Sequence, residues 1–187
     1  MTIYISLLRG INLGAHYKIK MPDLTALYES LGLTNVQTYV QSGNVVFTSE
    51  ETDRARLEEA IKAKIEEVYG YNVPVLVLAA DELRRIAQAN PFLTERNADP
   101  AHLHVTFLAH PPDEARARGF VPPMSGEDEF ILVGSAIYLF CPNGYGRTKL
   151  TNNLFENKLK VQATTRNCRT VGALVEMANA SSGPARR

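Results

Sequence analysis

The stretch that decides the fold is the N-terminal segment Thr2-Ile-Tyr-Ile-Ser-Leu-Leu-Arg-Gly-Ile-Asn-Leu-Gly14. Its apolar run predicts a buried β-strand over Thr2–Leu8, and the abrupt change to arginine, glycine and asparagine predicts a turn where that strand ends. Glycine adopts backbone conformations that other residues resist, and Arg9 and Asn12 carry hydrogen-bond donors. The turn is therefore a candidate binding site at one end of a sheet.

The residues that follow extend this strand into a split βαβ unit. An amphipathic helix is predicted from Pro22 to the glycine at 32, and β-rich runs at 36–40 and 45–48 flank Gln41-Ser-Gly-Asn44 as a hairpin. A second helix, capped by Thr52 or Asp53, carries apolar residues at helical spacing, and a fourth strand covers 73–79. Strand, helix, hairpin, helix, strand is the ferredoxin-like order.

The remainder of the chain begins the same pattern again. A helix is predicted over 81–89, stopped by Asn90-Pro91, and a strand with one buried face over 103–109. A short helix over 113–118 and a hairpin of 130–133 and 137–140 follow. The chain then continues with a helix carrying Leu150 to Leu159, a short link over 161–167, a last helix containing Val171 to Ala178, and a frayed tail over 181–187.

These patterns predict an α+β fold with two ferredoxin-like (split βαβ) halves, in which antiparallel sheets carry helices on one face. The predicted division is an N-terminal half over residues 1–80 and a C-terminal α+β half with two terminal helices over 81–187.

Composition favours an ordinary globular protein of the cytoplasm. Apolar residues make up 45% of the 187 residues and charged residues 21%. No apolar run approaches the length of a membrane span and no signal-peptide pattern is present, so we expect neither export nor a membrane partner. Cys141 and Cys168 lie in no metal-binding spacing and are expected to be free thiols.

Charge is balanced overall but concentrated locally. The formal net charge is zero, which argues against a dedicated nucleic-acid binder and leaves nucleic acid as a weaker candidate partner. Between Cys141 and Thr170, however, Glu156 is the single acid against six bases, namely Arg147, Lys149, Lys158, Lys160, Arg166 and Arg169. Such a patch attracts phosphate or carboxylate groups.

Three segments combine glycine-rich turns or helix starts with arginine and lysine, which are the ingredients of an anion site. They are Arg9 to Asn12 with Lys18 and Lys20, Tyr145 to Lys149, and Thr164 to Asn167 with Arg169. None has the Walker or dinucleotide-binding glycine spacing, so no cofactor is assigned. The competing interpretation is that these residues are caps, turn formers and solvated charges.

The hairpin loop supplies further amide and hydroxyl groups to the same candidate site, although a tight turn also requires such residues. The predicted ligand-binding residues are Arg9, Asn12, Lys20, Gln41, Ser42, Asn44, Arg147, Lys149, Arg166, Asn167 and Arg169.

Metal and nucleophile patterns are weak. His102-X-His104 would place two imidazoles on one side of a strand, with His110 and Cys141 as possible further ligands, but structural or surface histidines are the favoured interpretation and no metal is assigned. Ser42, Ser135 and Cys168 have no sequence-visible base, so no catalytic residue is assigned. Neighbouring cations could lower the pKa of Cys168, whereas packing is its favoured role.

The chain resembles domain-of-unknown-function (DUF) family 1697, which is found mostly in bacteria. The resemblance is carried by Leu8-Arg-Gly-Ile-Asn12 with Lys18, Lys20 and Met21, by Tyr39 to Phe47, by Asn90-Pro-Phe92, by Lys149 to Asn153 and by Ala163 to Val171. Members of the family usually carry tryptophan where this chain has Cys168. The resemblance implies an α+β protein with ferredoxin-like halves, and it supplies no activity and no catalytic residues.

The leading hypothesis is a cytosolic protein that binds a small anionic ligand, such as phosphate or a nucleotide, in a cleft between its two halves. One alternative is an enzyme of phosphoryl or acyl transfer that uses the same basic cleft. A second alternative is a protein-interaction module whose polar motifs are purely structural.

Overall fold

Two four-stranded antiparallel sheets organise the chain, whose computed structural model describes residues 1–123 and 126–183. One compact unit contains Met1–Arg84 together with the described residues from Ala173 onward, and the other contains Arg85–Gly172. The α+β class with two ferredoxin-like halves, which the sequence predicts, is confirmed.

The first unit follows the split βαβ order, with its elements at β1 (Thr2–Leu8), α1 (Met21–Ser30), β2 (Thr34–Tyr39), β3 (Asn44–Ser49), α2 (Arg54–Tyr69) and β4 (Val75–Ala79). The strand order in the sheet is β2-β3-β1-β4, so β1 is paired on both sides. This position agrees with the apolar character of the opening run, because a central strand exposes neither of its edges.

Helices α1 and α2 cover the face of the first sheet that carries Tyr4 and Phe47. The ring of Tyr28 from α1 packs edge-on against Phe47 at 5.5 Å, and its hydroxyl lies 2.7 Å from the buried Ser6 hydroxyl. Each of these two buried polar groups thus satisfies the other, which removes the penalty that an unpaired hydroxyl would carry in a core.

Local sequence explains the bounds of α2. The Asp53 carboxylate accepts hydrogen bonds from the backbone N–H of Ala55 and Arg56, and Gly70 ends the helix with φ of 70°. The helical spacing also predicts that Val68 lies on the apolar face, and this is wrong, because Val68 is 54% exposed. The last turn of α2 instead packs through Tyr69, which is partly buried against the core.

The second unit is built from the elements that follow α3 (Ala80–Gln88), namely α4 (Pro91–Thr94), β5 (Leu103–Leu108), α5 (Glu114–Arg118), β6 (Glu129–Val133), β7 (Ala136–Phe140), α6 (Asn152–Leu159), β8 (Ala163–Asn167) and the start of α7 (Cys168–Ser181). Its sheet has the strand order β6-β7-β5-β8, with every pair antiparallel.

The short link predicted over 161–167 is wrong, because Ala163–Asn167 forms strand β8 and completes the second split βαβ unit. Polar threonine and arginine side chains hide the alternation that marks a half-buried strand. The pairing itself shows why they are tolerated, since the hydroxyls of Thr106 and Thr165 lie 2.7 Å apart across β5 and β8.

Two further expectations for this unit are corrected. Strand β5 has buried residues on both faces and not on one alone. Val105 and Phe107 are buried on one face, and Thr106 is completely buried on the other. The hydrogen bond between Thr106 and Thr165 makes the burial of this polar side chain possible. Asn90 does not simply follow a helix end, since its side chain caps the additional helix α4 by accepting a hydrogen bond from the N–H of Phe92 at 3.1 Å.

Helix α7 continues to Ser181, so the predicted tail begins later than expected, and residues 184–187 lie outside the described part of the chain. Within residues 1–123 and 126–183, no helix combines the length and the apolar character that a bilayer crossing requires.

Gly43 in the β2–β3 hairpin is fixed by both backbone conformation and space. Its φ is +81°, and a Cβ added there would lie 2.7 Å from the Cβ of Leu8 and 2.9 Å from the Cδ1 of Ile11. The Gly43 carbonyl also accepts the Leu8 N–H at 2.8 Å. The hairpin loop and the turn after β1 are therefore in direct contact.

Gly43→Ala is expected to lower the free energy of unfolding by about 1 to 3 kcal/mol more than Gly10→Ala does. Gly10 is the matched control, because its φ is also +81° but a Cβ there would meet no atom of the described residues within 4 Å. Urea denaturation of both variants measures the difference. Equal losses would contradict the close packing between the two turns.

Candidate functional site

One end of the first sheet gathers the first group of predicted site residues. Leu7 in β1 pairs with Asn44 at the start of β3, so the loop 40–43 lies beside the turn that begins at Arg9. The Arg9 N–H donates to the carbonyl of Pro74, just before β4, at 3.0 Å. The structure thus brings Arg9, Asn12, Gln41, Ser42 and Asn44 to the same end of the sheet.

Asn12 connects the two loops at this end. Its Nδ2 donates to the carbonyl oxygen of Ile19 at 2.9 Å and to that of Gln41 at 2.8 Å, and its Oδ1 accepts from the N–H of Ile19 at 3.0 Å. Its φ is 56°, in the left-handed region that asparagine tolerates better than most residues. Both donors of its side chain are therefore used to shape the site.

Ser42 and Asn44 mainly build the hairpin. Asn44 is completely buried, and its Nδ2 donates to the Tyr39 carbonyl at 3.0 Å and to the Ser42 hydroxyl at 2.9 Å. Val40 in the same hairpin has φ of 50°, a strained value for a β-branched residue. Gln41, whose carbonyl accepts from Asn12, keeps an exposed side chain.

A pocket of about 730 Å³, called the lysine pocket below, opens beside these loops. Its polar lining consists of Asn12, Lys18, Lys20, Asp23 and Gln41. Lys18 and Lys20 are exposed, and neither makes an ion pair with a described residue. The pocket thus brings three of the predicted residues, Asn12, Lys20 and Gln41, together from three separate segments.

A second pocket of the first unit, about 540 Å³, is less suited to an anion. Arg56 lines it together with residues near the opposite ends of β1 and β3. The Arg56 guanidinium lies 3.6 Å from the Asp53 carboxylate and 3.8 Å from that of Glu51, so acidic groups already balance its charge.

In the second unit, the predicted residues gather at the end of the sheet where β7 and β8 finish. His104 in β5 pairs with both Leu139 and Asn167, and the N–H of Cys141 donates to the His102 carbonyl at 2.8 Å. The basic residues that follow these two strands or end them, called the β8 cluster below, are Arg147, Lys149, Arg166 and Arg169. All except Arg166 are exposed.

Arg166 is a buried member of the β8 cluster, with 9% of its surface exposed. Burial lowers the pKa of its guanidinium to about 10, with Tyr145 acting in the opposite direction, so the group stays charged at neutral pH. Its Nη1 donates to the Thr165 carbonyl at 3.0 Å. Asn167 next to it caps the following helix, since its Oδ1 accepts from the N–H of Thr170 at 2.8 Å.

The two histidines of the His102-X-His104 pattern occupy different elements. His102 ends a 3₁₀ turn, Pro100–His102, before β5 begins, whereas His104 lies in the strand and stacks on Tyr145 at 4.7 Å between ring centroids. Burial lowers the pKa of His104. Among the described residues, no group of three histidine, cysteine, aspartate or glutamate side chains is placed to hold a metal ion.

Cys168 is half-buried at the start of α7, and burial raises its pKa to about 11. The Asn90 amide, which donates to its Sγ at 3.6 Å, lowers the pKa but does not offset the burial. The thiol therefore stays protonated near pH 7, which is unfavourable for a nucleophile.

A model of a family of proteins of unknown function, DUF1697, matches residues 1–138. The chain belongs to the DUF1697 family. The structure of this DUF1697 protein is similar to that of a conserved bacterial protein from Streptococcus pneumoniae, with a TM-score of 0.73, 25% sequence identity, and coverage of 95% of this chain and 98% of that chain. No curated protein matches the sequence significantly.

The residues that match the family model include the whole lysine pocket, whereas the β8 cluster lies beyond residue 138. Lys18, Met21, Asp23 and Tyr69 also line the lysine pocket, and none of them is among the predicted ligand-binding residues. For Tyr69, the available signal is the close spacing of two tyrosines, at 69 and 71, where a helix of charged residues ends.

Native Cys168 in this DUF1697 protein is expected to react with iodoacetamide at pH 7.5 about a hundredfold more slowly than an ordinary exposed cysteine. A pKa of about 11 instead of 9.0 lowers the thiolate fraction by that factor. Site-resolved mass spectrometry measures the rate, and the urea-unfolded chain is the control. Equal rates in the folded and unfolded chains would contradict the burial of this thiol.

Proposed function

We propose that this protein binds an anionic, phosphate-bearing ligand in the lysine pocket. The observation that carries the proposal is that Lys18 and Lys20 line one pocket with Asn12 and Gln41, and that neither lysine is neutralised by an ion pair with a described residue. Ammonium groups of this kind are common phosphate binders.

The loops around the pocket support the proposal because hydrogen bonds within the chain hold them in place. Asn12 bonds to Ile19 on one side and to Gln41 on the other, so the segment that carries the two lysines is tied to the hairpin. A binding site that is already formed loses less conformational entropy when the ligand arrives.

The pocket is not uniformly basic, since Asp23 also lines it. One carboxylate beside two lysines leaves a net positive charge, which suits a small anion better than a long polyanion. Because both lysines are exposed, their attraction for an anion is expected to weaken as the salt concentration rises.

The β8 cluster is a second candidate contact surface. The expectation that it acts on the same ligand stays a prediction, and its members include three exposed cations that variants can remove. Catalysis has less support, because the Ser42 hydroxyl accepts a hydrogen bond from Asn44 and the Cys168 thiol is protonated at neutral pH. Two free cysteines support action in a reducing compartment such as the cytoplasm.

The double variant Lys18→Ala, Lys20→Ala is expected to bind ribose 5-phosphate, which carries a single phosphate group, about tenfold more weakly than the wild type, which corresponds to about 1.4 kcal/mol. Isothermal titration calorimetry at low salt measures the affinities. Arg147→Ala, Lys149→Ala is the comparison variant, because it removes two exposed cations from the β8 cluster instead.

Weaker binding in both double variants would show that the two basic surfaces serve one ligand. Weaker binding in the lysine-pocket variant alone would restrict the site to the first unit. The proposal is contradicted if the wild type binds no ribose 5-phosphate, or if the lysine-pocket variant binds it as well as the wild type.

A further inference from the structure

Three tyrosine rings lie in contact beside the lysine pocket. Tyr71 contacts Tyr17 at 4.9 Å and Tyr69 at 5.5 Å between ring centroids, and the Tyr69 and Tyr71 planes differ by 19°. Tyr69 itself lines the pocket. An aromatic side chain that is supported by a second ring is thus part of the wall of a pocket that also carries two lysines.

The remaining lining is apolar, since Ile19, Met21 and Pro22 accompany Tyr69. An inorganic phosphate would use the lysines and leave this apolar surface in contact with water. A ligand that carries both a phosphate group and a flat aromatic ring would use both parts, because aromatic rings stack on tyrosine and a thioether packs well against an aromatic ring.

We propose that the lysine pocket binds a nucleoside monophosphate, with the base stacked on Tyr69 and the phosphate bound by Lys18 and Lys20. This inference rests on the proposed function and adds the chemical class of the ligand. A volume of about 730 Å³ lies within the usual range of small-molecule sites.

Asp23 favours a single phosphate group. Its carboxylate shares the pocket with the lysines, so it repels a second or third phosphate, whereas it accepts hydrogen bonds from ribose hydroxyls or from a base amino group. A nucleoside monophosphate satisfies both requirements, and a nucleoside triphosphate places additional negative charge beside this carboxylate.

The arrangement of Tyr17, Tyr69 and Tyr71 suits the binding of a single base better than that of a nucleic-acid strand. Proteins that bind single strands present successive aromatic side chains on which successive bases stack. Here Tyr71 contacts both of the other rings, and Tyr69 is the single one of the three tyrosines that lines the pocket. The zero net charge of the chain also provides little attraction for a long polyanion.

Backbone strain is concentrated in the same loops. Asn12, Tyr17 and Val40 all have positive φ, at 56°, 48° and 50°, and they lie in the two loops that Asn12 joins. Conformations of this kind persist only where the surroundings determine them, and they often occur at ligand sites. The strain agrees with a pocket whose wall is fixed before the ligand binds.

The test compares the wild type, Tyr69→Leu and Tyr69→Phe by calorimetric titration of the four ribonucleoside 5′-monophosphates, adenosine, ribose 5-phosphate and a short single-stranded oligonucleotide. At least one nucleoside monophosphate is expected to bind the wild type about tenfold more tightly than ribose 5-phosphate. Tyr69→Leu should abolish this preference and Tyr69→Phe should keep it, because phenylalanine retains the ring. Far-ultraviolet circular dichroism confirms that both variants are folded.

Three results would overturn the inference. Equal affinity for ribose 5-phosphate and all four monophosphates would show that the base contributes nothing to binding, and it would leave the proposed phosphate binding intact. Binding of adenosine alone, or of no compound, would overturn the proposed function as well. Tighter binding of a short single-stranded oligonucleotide than of any monophosphate would assign the site to nucleic acid instead.

Discussion

The side chain of Asn12 is the constraint on which the candidate site depends. It bonds to both backbone groups of Ile19 and to the carbonyl of Gln41, so it closes the loop after β1 and attaches that loop to the β2–β3 hairpin. Gly43 strengthens the same contact by bringing its backbone against Leu8 and Ile11, where no side chain would fit. Asn12 thus holds the segment carrying Lys18 and Lys20 beside Gln41, and Gly43 holds the hairpin against the end of β1.

The polar motif residues therefore divide into two physical roles. Asn12, Ser42, Asn44 and Asn167 use their side chains to hold loops, turns and a helix start. Exposed cations such as Lys18 and Lys20 contribute little to the fold and are available for a ligand. A motif that looks like a single binding signature in the sequence is thus largely the scaffold for a few charges.

Much of the fold could be predicted because its signals are local. The apolar run of β1, the Asp53 cap and Gly70 each act within a few residues, and all appear in the structure as expected. Strand β8 could not be recognised in this way, since its Thr165 is stabilised by Thr106, far away in the sequence. The burial of Thr106 in β5 could not be predicted for the same reason, because its hydrogen-bond partner is Thr165 in β8.

Prediction of the candidate site from local sequence is limited in the same way. Glycine, arginine and asparagine in one turn indicated where the pocket lies, and Asn12, Lys20 and Gln41 line it together. The aromatic wall was not predictable, because Tyr17 and Tyr71 meet only after the chain has folded. Burial of Arg166 and of the Cys168 thiol likewise depends on strands and helices that the local sequence does not specify.

The most direct test is a titration of the ¹⁵N-labelled protein with each of the four ribonucleoside 5′-monophosphates, followed by two-dimensional NMR of the backbone amides. The largest shift changes are expected at the amides of residues 12–23, 41–44 and 69, which form the lysine pocket and the hairpin tied to it by Asn12. Changes confined to residues 145–169, or no saturable change at millimolar concentrations of any of the four monophosphates, would contradict ligand binding in the lysine pocket.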